Sequence, residues 1–341
     1  MRDPFFTLSY EGTDITQTIN QFTLSLDITD KKEGESDDVS LTLLNSDRRW
    51  LDAWFPGTGD RVTVTLGYRN GEQLGPLLFE LDRVEFQGAP DTVRLQGLAT
   101  PVTASLRQKK TRAFEATTLD QIAAQIATDN DLTLVGSVPE FPLERVTQRN
   151  ETDLNFLKNL AADYGLIFKV ADTTNLVFYR ESELEAAEPT KTLTLADVSS
   201  YRVAKGTVGT HSSVKAQYLN PETGEYDSVE LDADGAEVAT PTDGETDIAS
   251  GDVLNIRERF ESRAQAESKA TEALRRANRG QYTLDLDMEG DPTMAAGTNI
   301  QMTGLGKLSG KYQVEFVRHT LAKNQGYRSR LTCVGLELST S

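Results

Sequence analysis

The hydrophobic and polar positions of this 341-residue chain alternate with a period of two over roughly the first hundred residues. Alternation is clearest at 22–26, 39–43, 62–66 and 93–98, and Gly, Pro and Asn residues separate these runs. A period of two places successive side chains on opposite faces of a strand, so each run predicts a strand with one buried face. Short strands at this spacing predict a small β-barrel or sandwich over residues 1–105.

The periodicity changes between residues 106 and 190, where two amphipathic helices are predicted. Thr118-Leu119-Asp120-Gln121 has the form of a capping box and precedes apolar residues at helical spacing. The residues on the inward face of this first helix are Leu119, Ile122, Ala123, Ile126 and Ala127. Runs of strand character at 132–135, 167–170 and 176–179 complete a compact α+β unit.

The second helix of this region lies within residues 148–165, which read QRNETDLNFLKNLAADYG. Thr152 and Asp153 form a capping cluster, and Gly165 supplies the left-handed residue that ends the helix. The apolar residues that share one face are Leu154, Leu157, Leu160, Ala161 and Tyr164. The segment holds no nucleophile, metal ligand or phosphate-binding loop, so it predicts packing and assembly rather than catalysis.

Strand-like runs return from residue 191 to the end of the chain. The stretch 232–252 is rich in Asp, Gly, Thr and Ala and predicts an acidic loop, and an alanine-rich helix is predicted at 262–279. The expected fold is therefore mainly β with an α+β insert. Two small β-barrel domains, at 1–105 and 191–341, are joined by an α+β domain at 106–190.

A partial internal repeat relates the two β regions. The parallel segments are 59–65 with 297–303, 79–84 with 312–317, and Arg94-Leu95 with Arg330-Leu331. Only the loop lengths between them differ, which favours a duplicated barrel, although chance alternation in β-rich sequence would produce similar parallels. Three copies of a chain with two equivalent barrels would present six similar elements in a ring.

The formal net charge of −18 argues against binding nucleic acid through its phosphates. Solubility and prevention of premature association are one interpretation of this charge, and an acidic lumen that DNA traverses without adhering is the other. No apolar run approaches the length of a bilayer span, and the N-terminus lacks the pattern of a signal peptide. Neither membrane insertion nor export by the ordinary secretory route is expected.

Candidate chemistry is sparse in this sequence. The single cysteine, Cys333, excludes an internal disulfide, and its apolar strand context predicts a core residue. His211 and His319 are isolated, and His319 is expected to be a strand or interface residue. The acidic run 285–291 superficially resembles a calcium loop, but its alternation predicts a strand and Ala296 stands where the twelfth-position glutamate is needed. No catalytic, cofactor-binding or metal-ligating residue is predicted.

Two groups of residues are candidates for a subunit interface. Lys109, Lys110 and Arg112 form a basic cluster in an acidic protein, and its alternative interpretation is a solvated connector. Arg48, Arg49, Trp50 and Trp54 combine the residue types that are enriched at interface hot spots. Core packing of the first barrel is the alternative for this second group.

The segment 148–165 resembles the Q-x-x-E-[ST]-D-x-x-F-[LI]-x-x-L-[AM]-x-x-x-G block of the phage late control gene D family. The matching residues are Gln148, Glu151, Thr152, Asp153, Phe156, Leu157, Leu160, Ala161 and Gly165. Further similar blocks at 59–68, 106–119, 264–276 and 296–319 extend the resemblance over nearly the whole chain. These tail-hub proteins share the fold of the hub half of VgrG spikes in type VI secretion.

The resemblance implies a homotrimeric hub of a phage tail baseplate or a related contractile injection system. Such a hub connects the hexameric tail tube to the trimeric central spike and surrounds the lumen for DNA or cargo. It implies further contacts with the tape measure protein and other baseplate proteins, assembly in the bacterial host cytoplasm, a final place in the virion, and no cofactor. A baseplate-associated peptidoglycan hydrolase and a soluble carbohydrate-binding β-module are the alternatives.

Overall fold

The computed structural model describes residues 2–32, 36–99, 106, 108–136, 138, 140–171, 175–206, 211–220, 223–232, 235–238, 253–260 and 263–339. This part of the chain is mainly β-structure with an α+β insert, which confirms the predicted fold class. Its buried apolar residues form four separate clusters rather than one. No helix within the described ranges is long and apolar enough to cross a membrane.

The first part of the chain folds into an antiparallel N-terminal β unit. Its elements are β1 (Pro4–Tyr10), β2 (Thr13–Asp14), α1 (Thr16–Asn20), β3 (Thr23–Lys31), β4 (Asp38–Leu44), β5 (Arg61–Tyr68), β6 (Gln73–Gln87) and β7 (Thr92–Leu98). The strands lie side by side in the order β2-β1-β5-β6-β7-β4-β3. Alternating residues such as Leu41, Leu43 and Val64 point into one buried cluster, as the period of two predicts.

The insert contains both predicted helices. Its elements are β8 (Lys109–Thr118), α2 (Leu119–Asp129), β9 (Thr133–Gly136), β10 (Pro142–Thr152), α3 (Asp153–Asp163), β11 (Leu166–Ala171), β12 (Asn175–Arg180) and α4 (Glu181–Ala186). Strands β8 and β10 pair with each other, and β9, β11 and β12 form a second small sheet. The five residues predicted to face inward from α2 are all buried in the apolar cluster at the centre of the insert.

The last part of the chain contains two sheets. Its elements are β13 (Lys191–Leu193), β14 (Val198–Lys205), β15 (Ser213–Leu219), β16 (Tyr226–Asp232), β17 (Val253–Phe260), α5 (Arg263–Asn278), β18 (Tyr282–Glu289), β19 (Asn299–Met302), β20 (Gly310–Ala322) and β21 (Gly326–Leu338). Helix α5 lies within the predicted range 262–279. The predicted acidic loop at 232–252 lies mostly outside the described residues.

Strands β15, β16 and β17 stand apart from the other strands of this last part. They form their own sheet, and α5 packs on it through Ala266, Ala270 and Leu274. We call β13, β14 and β18 to β21 the C-terminal β unit, because these strands belong to the large sheet and surround a different cluster. The predicted domain boundaries at 105 and 190 stay predictions, and the strands at 213–260 form a layer that the sequence did not separate from the second barrel.

The two β units repeat the same strand order. In the N-terminal β unit the order is β5-β6-β7-β4-β3, and in the C-terminal β unit it is β19-β20-β21-β18-β14. The register also agrees, because Val62 lies opposite Phe79 as Ile300 lies opposite Tyr312. These are the pairs of residues that the internal repeat in the sequence aligns. The duplication is therefore a property of the fold and not a chance likeness of alternating residues.

Irregular features of the backbone repeat as well. Strand β6 shifts its register against β7 between Leu81 and Arg83, and β20 shifts against β21 between Val314 and Phe316. The amide of Gly59 donates to the Leu81 carbonyl at 2.6 Å, and the amide of Gly297 donates to the Val314 carbonyl at 2.7 Å. Both glycines have a left-handed φ, of 91° and 86°. The two β units therefore share a bulge and a turn at matching positions as well as their strand order.

A direct strand contact joins the two β units into one continuous sheet. Strand β3 pairs antiparallel with the second half of β20, and Ile28 lies opposite His319. The contact leaves both of these side chains fully buried. We call this contact the intrachain junction.

Candidate assembly site

Helix α3, which carries the family-like motif, begins and ends where the sequence predicts. The Thr152 hydroxyl accepts a hydrogen bond from the Asn155 amide at 3.2 Å, which satisfies one of the free donors of the first turn. Gly165 follows the helix with a φ of 66°. Of the inward face, Leu157, Leu160 and Ala161 are buried, and Leu154 and Tyr164 are partly buried against the same cluster.

Phe156 is a correction to the predicted inward face. It is 4 % exposed, and its ring stacks on Phe114 of β8 with centroids 5.6 Å apart and an angle of 8° between the ring planes. This contact holds the helix against the pair of strands β8 and β10. The motif therefore packs α3 on both sides, toward β11 and toward the pair β8 and β10.

Asp153 does not cap the helix, although the sequence placed it in the capping cluster. Its side chain is 0 % exposed and is surrounded by donors. Lys110 Nζ lies 2.5 Å from Oδ2, and an Arg112 guanidinium nitrogen lies 2.8 Å from Oδ1. The amide of Gln148 donates to Oδ1 at 2.9 Å, and the amide of Asn130 donates to Oδ2 at 3.2 Å. We call these five residues the Asp153 cluster.

The Asp153 cluster brings together two sets of residues that the sequence treated separately. Gln148 and Asp153 come from the family-like motif, and Lys110 and Arg112 come from the basic cluster. Gln148 links them, because its side-chain oxygen accepts from Arg112 Nε at 2.8 Å while its amide donates to Asp153. The cluster ties α2, α3, β8 and β10 to one another.

The charge of Asp153 is compensated inside the chain by Lys110 and Arg112. Burial alone would raise the pKa of Asp153, but the hydrogen bonds from Lys110, Gln148 and Asn130 outweigh it and hold the pKa below its ordinary value. The carboxylate is therefore ionised and paired at neutral pH.

The basic cluster lies at the start of a strand, where Lys109 is exposed and Lys110 and Arg112 are paired. Lys109 to Arg112 open strand β8, which pairs with β10 in the register that sets Gln148 opposite Arg112. The side chains of Lys110 and Arg112 are about one-quarter exposed, at 25 % and 24 %. An interface role for Lys109, Lys110 and Arg112 stays a prediction, and two of the three already have an intramolecular partner.

The second predicted patch is divided between core and surface. Trp50 is 5 % exposed and meets Trp54 edge to face with ring centroids 5.2 Å apart, so it packs in the core of the N-terminal β unit. The Arg49 guanidinium lies over the Phe22 and Trp54 rings at 4.5 and 4.6 Å. Arg48 has a side chain that is 73 % exposed. A subunit contact through Arg48, Arg49, Trp50 and Trp54 stays a prediction.

A charged junction that the sequence did not predict lies where the insert meets both β units. Lys32 Nζ contacts Glu181 of α4 at 3.2 Å and Glu315 of β20 at 2.6 Å, and it donates to the Gln313 side chain at 3.1 Å. Arg279 follows α5 and pairs with Glu181 and Glu315 as well. The Lys32 side chain is 2 % exposed, so its charge depends on these partners. No local pattern in the sequence predicts these ion pairs, because Lys32 stands in a segment whose only signal is that of a turn.

A second ionic contact joins the insert to the N-terminal β unit. Lys169 of β11 lies 3.1 Å from Asp30 and 3.4 Å from Asp37. Burial raises the pKa of Asp37 to about 7, against the lowering effect of Lys169. Sequence reasoning missed this contact because Lys169 is separated from both carboxylates by more than 130 residues.

The residues considered for chemistry have structural surroundings. Cys333 is buried in the C-terminal β unit, which confirms a core role, and burial raises the pKa of its thiol. His319 is buried in β20, where the Tyr327 hydroxyl contacts Nδ1 at 2.8 Å and the Met294 carbonyl contacts Nε2 at 3.1 Å. Burial lowers the pKa of this imidazole. His211 is tied through its backbone to Asn278.

The acidic run at 285–291 is largely the predicted strand, β18. Asp285 accepts from the Thr332 hydroxyl at 2.9 Å, and Asp287 pairs with Arg328 and Arg330 of β21. These carboxylates face cross-strand partners instead of converging on one point. Among the described residues, no group of three or more His, Cys, Asp and Glu side chains could hold a metal ion.

The fold and its motif match one known family. A family model described as the phage tail baseplate hub matches residues 80–325 of this chain. The chain belongs to the phage tail baseplate hub family. This is a family of structural proteins of the virion tail baseplate, and the match confirms the resemblance to the late control gene D proteins.

Two curated relatives carry the same description. The probable baseplate hub proteins of Escherichia phages 186 and P2 are 27 % identical over 222 residues and 26 % identical over 223 residues. Each alignment covers 64 % of this chain and 56 % or 57 % of the relative. The chain therefore spans a little over half the length of these relatives.

Solved structures share the fold at low sequence identity. A tail protein from Neisseria meningitidis MC58 superposes with a TM-score of 0.71 at 11 % identity, covering 98 % of this chain and 97 % of its own. The 43 kDa tail protein of prophage MuSo2 from Shewanella oneidensis gives a TM-score of 0.69 at 17 % identity, covering 97 % and 98 %. The E. coli c3393 protein, a type VI secretion component, gives 0.56 at 13 % identity, covering 97 % and 77 %.

Proposed function

We propose that this hub protein forms a homotrimer that connects the hexameric tail tube to the trimeric central spike. The ring surrounds the lumen through which DNA or other cargo passes. Its further partners in the virion are the tape measure protein and other baseplate proteins. The role is mechanical and needs no cofactor, and the protein folds and assembles in the host cytoplasm.

The repeat of the two β units is the observation that supports this proposal. A threefold axis acting on one chain with two equivalent units generates six similar units around the ring. A hexameric tube can then make six similar contacts on one face, while a trimeric spike makes three on the other. A single unit per chain would offer the tube only half of the contacts that its symmetry requires.

The net charge of −18 fits a channel that nucleic acid passes without binding. A basic lumen would hold phosphates by releasing their counterions, and passage would slow. An acidic surface repels the polyanion and keeps it moving.

The mass of the purified chain in solution tests the trimer. Light scattering should give about three chains per particle, because a closed ring on a threefold axis has that composition. The particle should then bind the tail tube and central spike proteins of the same virion in separate pull-downs. A chain that stays monomeric and binds neither protein would overturn the proposal.

A further inference from the structure

We propose that neighbouring copies in the trimer join by strand addition, with β14 of one copy pairing antiparallel with residues 83–87 of β6 in the next copy. The contact is head to tail and repeats around the ring. It rests on the proposed trimer and names the surfaces that close it. The occupant of each free strand edge is thus a second copy of this chain.

The intrachain junction is the template for this contact. There, β3 of the N-terminal β unit pairs with the second half of β20 of the C-terminal β unit. By the repeat, β14 is the counterpart of β3, and β6 is the counterpart of β20. In a ring of six equivalent units, the same junction must occur between every two neighbouring units. Between units of different copies, that junction pairs β14 of one copy with β6 of the next.

The counterpart strands agree in detail. Strand β3 shifts its register against β4 between Thr23 and Ser25, and β14 shifts against β18 between Val198 and Ser200. Because the shifts match, Ser200 corresponds to Ser25 and the rest of the strand follows in register. Val203 is then the counterpart of Ile28, and the alignment of β6 with β20 makes Phe86 the counterpart of His319.

Exposure differs sharply between the counterparts. Leu26 of β3 is 0 % exposed, whereas its counterpart Tyr201 of β14 is 50 % exposed. His319 of β20 is 0 % exposed, whereas its counterpart Phe86 of β6 is 36 % exposed and stacks on Phe55, which is 63 % exposed. The intrachain junction covers the first member of each pair, whereas in the described part of the chain no strand lies beside the second. A neighbouring copy would give these aromatic side chains the burial that the repeat predicts.

Both edges are also open along the backbone. Strand β14 pairs with β18 on one side, and residues 83–87 of β6 pair with β7 on one side. Within the described ranges no strand pairs with either on the opposite side. An eight-residue edge with an exposed tyrosine, Tyr201, is a template for another strand, and soluble proteins usually cover such an edge.

The register of the new contact follows from the template. Ile28 lies opposite His319 and Thr29 lies opposite Arg318, so Val203 should lie opposite Phe86 and Ala204 opposite Glu85. Arg202 would then lie diagonal to Glu85 on the same face, at a spacing where opposite charges attract. The two edges are different surfaces, so a dimer formed through this contact would still have one free edge of each kind. A closed ring of copies pairs every edge.

Cysteine cross-linking tests the register directly. Opposite residues in an antiparallel pair have Cα atoms about 4.5–5.5 Å apart, which lies within disulfide reach. Chains with Ala204→Cys and chains with Glu85→Cys are mixed, oxidised and separated without reductant. We expect heterodimers of one variant with the other and no homodimers of either. The native Cys333 is buried and gives little background.

Two charge substitutions test the contact without cross-linking. Phe86→Arg and Val203→Arg should each convert a particle of about three chains into single chains, because each places a charge in a closed apolar contact. Tyr179→Arg is the control, since Tyr179 is 42 % exposed on β12, outside both edges. Far-ultraviolet circular dichroism of all three variants should match the unaltered protein.

The outcomes separate this inference from the proposed function. If the unaltered chain is a monomer, the trimer and the contact fail together. If it is a trimer while Phe86→Arg and Val203→Arg remain trimers, or if cross-links form only between like variants, the proposed contact is wrong and the trimer stands. Loss of the trimer in both variants, together with heterodimers from the mixture, supports the contact.

Discussion

The Asp153 cluster shows how one buried carboxylate can fix a junction of four elements. A fully buried charge is tolerated only when donors surround it, and here Lys110, Arg112, Gln148 and Asn130 do so. Asp153 alone reaches all four of them. The motif residue thus acts through its charge, and its neighbours Phe156 and Leu157 act through packing.

Replacing Asp153 should be costly in a way that replacing a surface residue is not. Asp153→Ala leaves Lys110 and Arg112 without their shared anion, and breaking a buried pair costs about 3–5 kcal/mol of unfolding free energy. Urea unfolding at pH 7 measures the loss. Lys158→Ala, on the exposed face of the same helix, is the control and should change the unfolding free energy by less than about 0.5 kcal/mol. Equal losses in the two variants would contradict a structural role for the cluster.

Gly290 is a second position where a single substitution should affect stability, because there is no room for a Cβ atom. A Cβ there would lie 2.1 Å from the Tyr327 ring, and Tyr68 donates a hydrogen bond to the Gly290 carbonyl at 2.8 Å. Gly290→Ala should therefore overpack this contact between the two β units and lower the unfolding free energy by about 1–3 kcal/mol. Gly71→Ala, whose Cβ would meet its nearest atom at 3.4 Å, is the control. Thermal unfolding that is unchanged in Gly290→Ala would contradict the close approach.

At the scale of elements, the sequence patterns predicted the strands and helices whose formation depends on neighbouring residues. The period of two located the strands of both β units, and helical spacing located α2 and α3. The capping box at Thr118 was wrong in its detail. Helix α2 does begin after Thr118, but the Thr118 side chain makes no capping bond, and the Thr117 hydroxyl bonds the Gln121 side chain instead. A tetrapeptide pattern does not reveal which neighbouring hydroxyl is free to turn inward.

Contacts between distant segments were beyond the sequence for a physical reason. Lys110 meets Asp153 only because β8 pairs with β10 in one particular register, which depends on the packing of both helices. Lys32 and Lys169 reach carboxylates of other units by the same kind of long-range placement. The internal repeat was the exception. Two similar segments far apart in the chain are visible in the sequence, and they predict that the two regions share a fold.

The burial of Asp37, which raises the pKa of its carboxyl against the lowering effect of Lys169, should make stability depend on pH. The folded pKa of about 7 lies above the ordinary value of 3.8, so between these values the folded state holds a proton that the unfolded state lacks. Asp37 therefore adds stability as pH falls from about 8 to 5, and this contribution is lost as pH rises through 7. Asp37→Asn should remove it, which chemical unfolding at several pH values measures.

The control for this prediction is the neighbouring substitution Asp38→Asn, which leaves the Lys169 contact intact. His319 changes stability in the opposite direction over part of this range, because burial lowers its pKa. Both variants retain His319, so its contribution cancels in the comparison. A pH dependence that is the same in Asp37→Asn and in the unaltered protein would contradict the assignment.

At the scale of the whole molecule, the continuous sheet and the net charge have opposite effects on the association of copies. Two strand edges of this sheet, β14 and residues 83–87 of β6, have no strand on their second side in the described part of the chain and favour association, whereas a charge of −18 on each copy opposes it. Association of such a chain is controlled by how well the solution screens the copies from each other.

Salt should therefore strengthen the trimer. Ions at 0.3 M screen charges over about 6 Å, against roughly 17 Å at 0.03 M, so the repulsion between copies shrinks while the strand contact remains. The single pair formed by Arg202 and Glu85 would weaken with salt, but an exposed pair contributes only about 0–1 kcal/mol. Sedimentation velocity should show the trimer forming at severalfold lower protein concentration in the higher salt, equally in NaCl and KCl. Dissociation on adding salt would mean instead that charge pairs across the contact, and not its aromatic residues, hold the copies together.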